Sequence, residues 1–399
     1  MPGFELFGDA ERKEVSDVLE SGVLMRYGFD SLRNGHYKAK QLELEINKRF
    51  NINYSQLCSS GTSAVTMALA ASGIGSGDEV IIPSFTFVAS FEAIIMTGAI
   101  PVVVDIDDTL TLDIESVEKA ITSKTKAIMP VHMCGSMADM RALKELSSKY
   151  SLLLIEDACQ AIGGTYDGMP LGTIGDLGCF SFDFVKTITC GEGGVVVTNN
   201  KEFALKLDYF NDHGHDHIGN NRGAESHPFI GYNFRISELN AAVGLAQFRR
   251  IDEFLNIQKL NYTIIRDALQ KIEDISFRKV PFDGVESYAF LNFFLDDIET
   301  AKQVHKSFLS NGIDSCFHYL DNNWHYIRKW DHLKQIKSLY PFSEDLINGL
   351  SYLKDKDFSK SDYFIGRNIS CLIKLSWSEE EVRKRAKTMV RCIREVINS

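Results

Sequence analysis

The 399-residue sequence lacks several features that mark whole classes of protein. Its eight cysteines include no C-x-x-C pair, and this scatter predicts reduced thiols, not a disulfide framework or a zinc site. No apolar run approaches the roughly 18 residues that a membrane-spanning helix needs. The net charge is −11 without any block of basic residues. That balance argues against a nucleic-acid partner, because neutralising phosphates requires clustered cations.

Two further signals are missing. The opening residues, MPGFELFGDAERKEV, contain no charged segment followed by an apolar one. No secretory signal is therefore expected, and a cytoplasmic location is predicted. The glycine-rich turn at residues 73–77 neither completes G-x-G-x-x-G nor precedes a P-loop lysine. This argues against a nicotinamide-dependent dehydrogenase.

What the sequence does contain is an alternation of short apolar runs and helical patterns over its first 250 residues. The run TKAIMPVH, residues 125–132, predicts a buried strand, and Ser136 is the expected N-cap of a helix that continues to Tyr150. The run LLLIED, residues 152–157, predicts a second buried strand of the kind found in parallel sheets. Strand, helix and strand form one right-handed crossover unit. We therefore predict an α/β/α domain around a mainly parallel sheet over residues 1–250.

The sequence pattern changes over residues 251–399, where long charged helical segments alternate with weaker strand signals. Ser378 and Glu381 predict a capping box at the start of a C-terminal helix. The apolar residues of that helix fall on one face, namely Val382, Ala386, Met389 and Ile393. A smaller α+β domain is expected here.

The segment SSGTSAVTMALAA, residues 59–71, opens an alanine-rich helix after an apolar stretch. Gly61 permits a close backbone turn, and the N–H groups of Thr62 and Ser63 would point out of the helix N-terminus. Such an end suits a dianionic phosphate. The motif alone is equally consistent with an ordinary N-cap.

Asp157 ends the run LLLIED at the carboxyl edge of the sheet, where open α/β sheets bind ligands. A carboxylate at this position is costly unless it is paired, so a cationic group such as a protonated ring nitrogen is expected to face it. Gln160, one helical turn further on, is placed to reach the same ligand. An N-cap or a metal ligand is the alternative interpretation of Asp157.

Lys186 lies in SFDFVKTITCGEGG, between an apolar run and a glycine-rich turn, where a surface lysine is unusual. An amine buried beside apolar groups has a lowered pKa and forms Schiff bases with carbonyl compounds. A phosphate cradle, a strand-end carboxylate and a buried lysine on one α/β sheet are together what pyridoxal phosphate (PLP) requires.

The sequence also resembles the DegT-type sugar aminotransferases, a family of fold-type I PLP enzymes. The resemblance covers nearly the whole chain and includes GDEVIIPSFTFVAS, IEDACQAIGGTYDGMPLGTIGDLGCFSF, KTITCGEGGVVVTN and GYNFRISELNAAVGLAQ. It implies a mainly parallel seven-stranded sheet and a homodimer whose active sites are shared between subunits. The resemblance implies that Lys186 holds the aldehyde of PLP, that Asp157 pairs with its pyridine nitrogen and that Gln160 contacts its ring hydroxyl. It also implies that Phe87 stacks on the ring and that Asn233 reaches in from the second subunit. The phosphate contacts that it implies are Thr62, Ser63 and Ser181.

Several segments depart from the common family pattern, among them CFHYLDNNWHYIRKW, residues 316–330, and the histidine-rich NDHGHDHIGNNRGAESHPFIGYNFR. They resemble those of family members that aminate C8 of 8-oxo-3-deoxy-manno-octulosonate, giving an amino sugar of lipopolysaccharide. Lysine at position 186 favours transamination over the dehydration that members with histidine there perform. Glutamate is the expected amino donor. The alternatives are an aminotransferase for a UDP- or dTDP-linked keto-sugar and a PLP-fold regulatory protein without turnover.

Octulosonate and glutamate both carry a carboxylate away from the reacting carbon, so cationic or donor groups are expected on the open side of the site. The selected substrate residues are His215, Arg222 and His325, with Arg26, Arg235 and His217 as wider candidates. A surface or packing role is equally consistent with each. Alternate histidines from His213 to His217 could share a zinc ion, but no cysteine or acidic ligand is spaced to complete a tetrahedral site. No metal is therefore predicted.

Overall fold

The computed structural model describes residues 2–219 and 221–399. Its strands are β1 Tyr54–Cys58, β2 Glu79–Pro83, β3 Ile100–Val104, β4 Thr125–Ile128, β5 Leu153–Asp157, β6 Thr165–Tyr166, β7 Met169–Pro170, β8 Leu177–Ser181, β9 Gly194–Thr198, β10 Ser276–Phe277, β11 Gly284–Val285, β12 Phe290–Phe294, β13 Cys316–Phe317 and β14 Asn368–Leu372.

Helices cover this framework. They are α1 Asp9–Ser21, α2 Lys38–Phe50, α3 Gly61–Ala71, α4 Val88–Met96, α5 Ile114–Ala120, α6 Met140–Tyr150, α7 Lys201–Asn211, α8 Glu238–Arg249, α9 Ile251–Leu269, α10 Ile298–Ser310, α11 Asp331–Lys334, α12 Glu344–Leu350, α13 Ser359–Arg367 and α14 Glu379–Ile397. In the described part of the chain, no helix is both long and apolar enough to cross a lipid bilayer.

The main sheet has seven strands in the order β1-β9-β8-β5-β4-β2-β3. Neighbouring strands are parallel from β8 to β3, whereas β9 runs antiparallel to both β1 and β8. The predicted mainly parallel seven-stranded sheet of a fold-type I enzyme is confirmed.

Alternate residues of β2 show why the sheet needs helices on both faces. Val80 and Ile82 belong to one buried cluster with side chains of α3 and α4. Ile81 points the other way and packs with Met140 and Leu143 of α6. Because side chains alternate along a strand, a continuous apolar run is stable only when both faces are covered.

The helix before β5 begins later than predicted. Ser136 is extended, and Asp139 is the N-cap of α6, its carboxylate accepting the N–H of Ala142 at 3.1 Å. Met137 and Ala138 are buried in the core beneath α6. Their burial keeps this stretch extended, so the cap falls on the next polar residue with suitable geometry.

The second sheet is antiparallel, with the order β10-β12-β14-β13, and α9, α10 and α14 pack against it. Ser378 and Glu381 form the predicted capping box, and the four predicted apolar residues of α14 are buried. The division at residue 250 stays a prediction. Side chains beyond it also enter the core of the main sheet, for example Tyr326, Trp330 and Leu350.

The cysteines differ from expectation at one point. Cys316 and Cys371 lie opposite each other on β13 and β14 and are joined as a disulfide, where the sequence predicted reduced thiols throughout. The other six cysteines are free, as predicted.

Candidate active site

Asp157 is the last residue of β5 and is only 5% exposed. One carboxylate oxygen accepts the Ser90 hydroxyl at 2.7 Å, and the other accepts the Cys159 N–H at 3.2 Å. Among the described residues, no cation lies within ion-pair distance of this carboxylate. A buried charge held by two neutral donors is incompletely compensated, so Asp157 is suited to pairing with a cationic ligand.

Lys186 lies outside the sheet, which corrects the expectation of a lysine in the packed interior. β8 ends at Ser181, and Lys186 is half-buried on the loop that follows. Its carbonyl accepts the N–H of Gly3 at 2.8 Å, which ties this loop to the N-terminal segment. Within residues 2–219 and 221–399, no hydrogen bond or ion pair engages its amine. The amine therefore lines a narrow cleft, together with Cys159, Gln160 and Ser181.

The charges of Lys186 and Asp157 both act on the Cys159 thiol. Burial raises the pKa of that thiol well above its usual range, the Asp157 charge adds to the rise, and the Lys186 charge opposes it. The N–H of Cys159 donates to Asp157, and Cys159 lines the same cleft as Lys186. Cys159 therefore links the predicted carboxylate to the cleft that holds the predicted amine, while Asp157 itself is not among the residues that line this cleft.

The start of α3 lies beside the end of β8. A Cβ added at Gly61 would stand 2.7 Å from the Cβ of Ser181, so only glycine allows this approach. The hydroxyl of Ser63 lies 3.0 Å from that of Ser59 and 2.9 Å from that of Ser60. The N–H of Ser63, predicted to be free, donates to the capping hydroxyl of Ser60 at 3.0 Å. An anion at the N-terminus of α3 would therefore meet a cluster of hydroxyls and the positive end of the helix dipole.

Gln160, which lines the cleft, is in contact with His325. The two side-chain nitrogens lie 3.2 Å apart, and the ring of His325 is 5.7 Å from that of Phe87, which is half-exposed. Burial, with a smaller contribution from the charge of Lys186, lowers the pKa of His325 to about 3. Burial therefore favours the neutral imidazole near neutral pH.

The other predicted substrate residues lie in a separate group, which we call the Asp212 cluster: Asp212 with Arg222, Arg235, His217 and Asp208. Arg222 donates to both oxygens of Asp212 at 2.7 Å, and Arg235 also donates to Asp212. Burial alone would raise the pKa of Asp212, but these cations and His217 hold it well below its usual range. Among the described residues, Arg222 contacts Asp212, whereas His325 contacts Gln160.

The remaining candidates are engaged or point outward. His215 lies 2.9 Å from a Glu225 carboxylate oxygen, and Arg26 bonds Glu43 at 2.6 Å. Asn233 is exposed on the segment whose backbone bridges Asp212. The backbone of residues 213–217 is not a simple extended strand, since it turns through positive φ at His213 and His217; the rings of His215 and His217 lie 6.4 Å apart. Among the described residues, no group of three potential ligands is placed to hold a metal ion.

Sequence reasoning missed three residues that support the cleft: Ser90, which orients Asp157; Cys134, whose N–H donates to the Gln160 amide oxygen at 3.0 Å; and Arg278, which holds the Cys134 turn. Ser90 lies one turn into the helix that follows Phe87, so helical spacing could have indicated it. Arg278 comes from the second sheet region, and no pattern in the sequence links it to Cys134.

PLP, the cofactor predicted from the sequence, fits this arrangement. Among the described residues, Asp157 is a buried carboxylate that pairs with no cation, the Lys186 amine has no hydrogen-bond or ion-pair partner, and hydroxyls cluster at the start of α3, where they could accommodate an anion. These are the partners that a protonated pyridine, an aldehyde and a phosphate require.

Comparison with known proteins agrees. The model of the DegT/DnrJ/EryC1/StrS aminotransferase family matches residues 7–354. A GDP-perosamine synthase of Caulobacter vibrioides is 43% identical over 217 residues, which are 53% of this chain and 57% of that protein. The chain thus matches little more than half of that relative's length. A GDP-perosamine synthase of Vibrio cholerae is 33% identical over 336 residues, which are 84% of this chain and 87% of that protein.

A solved aminotransferase from Psychrobacter cryohalolentis superposes with a TM-score of 0.82 at 27% identity, covering 98% of this chain and 97% of that one. The fold and the family model agree, and the aligned region includes the cleft. The chain therefore belongs to the DegT/DnrJ/EryC1/StrS aminotransferase family, whose members are PLP-dependent sugar aminotransferases, as its sequence predicted.

Proposed function

We propose that this chain moves an amino group from glutamate to C8 of 8-oxo-3-deoxy-manno-octulosonate. The product is 8-amino-3,8-dideoxy-manno-octulosonate, an amino sugar for lipopolysaccharide biosynthesis. Family membership supports the reaction type. The choice of sugar is supported by the segments in which the chain departs from the common family pattern.

One observation carries that choice. The segment of residues 316–330, one of those that depart from the common family pattern, brings His325 against Gln160. The rings of Tyr319 and Trp324 lie 5.0 and 6.2 Å from that of His325. One of the two departing segments thus lies beside Gln160 in the candidate site, where substrates would be distinguished.

The chain's own residues have distinct roles in this proposal. When bound, PLP supplies the electron sink that allows an amino group and a carbonyl oxygen to be exchanged. Lys186 would hold its aldehyde, and the released amine would move the proton at the Cα of glutamate. Asp157 would keep the ring nitrogen protonated, and Phe87 would pack on the ring face. Thr62, Ser63 and Ser181 would hold the phosphate.

We also propose a homodimer with shared active sites. Asn233 is exposed and so is placed to reach a second copy. Exposed apolar side chains beside it and beside the lysine loop, Tyr232, Ile230, Phe184 and Val185, would be covered by the same contact. His215 and Arg222 belong to the segment that leads to Asn233, so each would approach the partner's site and its substrate carboxylate. The dimer and the cytoplasmic location stay predictions.

A nucleotide-linked keto-sugar is the second candidate substrate. It is favoured by the relatives named GDP-perosamine synthase, two of which are 43% and 42% identical over parts of their length. Such a substrate would require space for a nucleotide beyond the cleft, whereas a free octulosonate would not.

The test offers purified PLP-loaded protein glutamate together with 8-oxo-octulosonate or with GDP-, UDP- or dTDP-linked 4-keto-6-deoxy sugars, and measures 2-oxoglutarate and the aminated product. We expect kcat/KM to be at least about tenfold higher for the octulosonate. Reactions without the sugar are the control. Higher efficiency on a nucleotide sugar would assign the second candidate. Cofactor absorbance that never responds to glutamate would indicate a regulatory protein.

A further inference from the structure

A continuous series of hydrogen bonds leads from the second sheet region into the cleft. It begins at Arg278, which is 5% exposed and pairs with Glu286 at 2.6 Å. The guanidinium donates to the carbonyl of Met133 at 2.8 Å and to that of Cys134 at 2.9 Å. Cys134 has φ 53° and ψ 34°, a left-handed conformation that is costly outside glycine. Arg278 therefore holds a strained turn in place.

The peptide group between Met133 and Cys134 connects Arg278 to Gln160. The carbonyl of Met133 and the N–H of Cys134 belong to the same peptide, and that N–H donates to the Gln160 amide oxygen at 3.0 Å. A cation on the carbonyl side polarises the peptide and strengthens its N–H as a donor. Since a backbone N–H can only donate, the Gln160 oxygen must face Cys134 and the amide nitrogen must face the cleft.

The last link determines the protonation of His325. The amide nitrogen of Gln160, a donor only, lies 3.2 Å from the Nε2 of His325. Nε2 must therefore accept, and the single proton of the neutral ring must sit on Nδ1. Nδ1 is buried and has no partner within the described chain. An unsatisfied buried donor costs about 1–3 kcal/mol, which a ligand oxygen would relieve.

We propose that Arg278 and His325 are positioning residues that, through Gln160, form a one-way hydrogen-bond chain: it prevents the Gln160 amide from flipping and fixes the Nδ1–H tautomer of His325. Gln160 then presents an N–H donor beside the cleft that it lines, and the buried Nδ1–H of His325 is left to pair with an acceptor oxygen of a bound ligand. The inference rests on the proposed function only in taking the cleft as the cofactor site. It does not depend on which sugar is used.

The first experiment reads the tautomer directly. PLP-loaded protein with ¹⁵N-labelled histidine is studied by NMR from pH 6 to 9 without any sugar, and His325 is assigned by its loss in His325→Phe. We expect Nδ1 to carry the proton and Nε2 to carry a lone pair throughout. A proton on Nε2, on its own or with a second on Nδ1, would overturn the proposal. Because no sugar is present, failure here is distinct from failure of the proposed function.

The second experiment reverses the polarity of the chain. In Gln160→Glu, the carboxylate facing His325 can only accept, so the proton should move to Nε2 while the fold is retained. In Arg278→Met, the turn at Cys134 loses its anchor and the single tautomer should give way to a mixture. Arg141→Met, which removes an exposed guanidinium that pairs with Asp283 at 3.3 Å, is the control and should leave His325 unchanged. An unchanged His325 signal in Gln160→Glu would overturn the proposal even if Arg278→Met failed to fold.

Discussion

Two buried carboxylates in this protein, Asp157 and Asp212, have opposite surroundings. Asp212 is 0% exposed and accepts from Arg222, Arg235 and His217. Asp157 is 5% exposed, accepts from the Ser90 hydroxyl and the Cys159 backbone N–H, and pairs with no cation among the described residues. A buried charge whose cations belong to the same chain holds structure, whereas one without them is ready to bind a cation from a ligand. The comparison distinguishes Asp212, whose ion pairs hold a surface segment in place, from Asp157, which is the predicted partner of the cofactor.

Removing the amine opposite Asp157 should have the largest effect. In Lys186→Ala, turnover should fall by at least about 10³-fold, because both Schiff-base formation and proton transfer are lost. Glutamate-dependent 2-oxoglutarate formation measures the loss, and circular dichroism checks the fold. The control is Lys201→Ala, an exposed lysine at the start of α7. Substantial turnover by Lys186→Ala would remove the lysine from the mechanism.

Neutralising each carboxylate in turn tests the contrast itself. Asp212→Asn leaves clustered cations without their counter-charge and should lower the free energy of unfolding by about 3 kcal/mol. Asp157→Asn keeps an acceptor for Ser90 and removes no ion pair, so its cofactor-free form should change by less than about 1 kcal/mol. Urea unfolding followed by circular dichroism measures both. Equal losses in the two variants would contradict the distinction drawn between them.

The Asp212 cluster should also make stability depend on pH. Burial would lower the pKa of His217, but Asp208 and Asp212 raise it to about 9. Because this is above the unfolded value of about 6.5, the stabilisation is complete below about pH 6.5 and is lost as the pH rises through about 9. Partial exposure reduces it to about 1 kcal/mol. Urea midpoints between pH 6 and 10 should fall for the unaltered protein and stay flatter for His217→Gln.

An exposed ion pair should show the smallest effect. Lys119 and Glu115 are 2.5 Å apart on α5, and their side chains are 73% and 72% exposed. Lys119→Gln should change the free energy of unfolding by less than about 0.5 kcal/mol, because water screens the pair. The same urea experiment measures it. A loss as large as that of Asp212→Asn would mean that burial does not explain the strength of the Asp212 cluster.

Many of the helices and strands could be predicted, because their formation depends on residues that are close together in the sequence. The buried runs of β4 and β5 and the capping box at Ser378 are local patterns, and each was predicted from its own segment. The start of α6 was misplaced because packing of Met137 and Ala138 in the core overrides the cap signal of Ser136. Local patterns thus identify elements, and tertiary burial moves their ends.

The site was predictable in part. Lys186, Asp157 and the start of α3 stand in recognisable motifs, so their convergence could be expected from the carboxyl edge of a parallel sheet. The half-buried position of Lys186 could not be predicted, because it depends on a hydrogen bond between its loop and Gly3, which is distant in the sequence. The partners of Arg222 and the contacts of Arg278 likewise join distant segments. Contacts between residues that are far apart in the sequence leave no pattern in either local segment, so they could not be predicted.

The antiparallel direction of β9 has a mechanical consequence for the reactive lysine. Because β8 and β9 are neighbours, the loop that carries Lys186 starts and finishes at two residues bonded across the ladder, Ser181 and Gly194. Both ends of the loop lie against the start of α3: a Cβ added at Gly194 would clash with the carbonyl oxygen of Ser60, and a Cβ added at Gly61 would stand 2.7 Å from the Cβ of Ser181. The loop that carries the amine is thus anchored by the strand pair that packs against the start of α3. If PLP binds as proposed, one strand pair would position both the residue that holds its aldehyde and the residues that hold its phosphate.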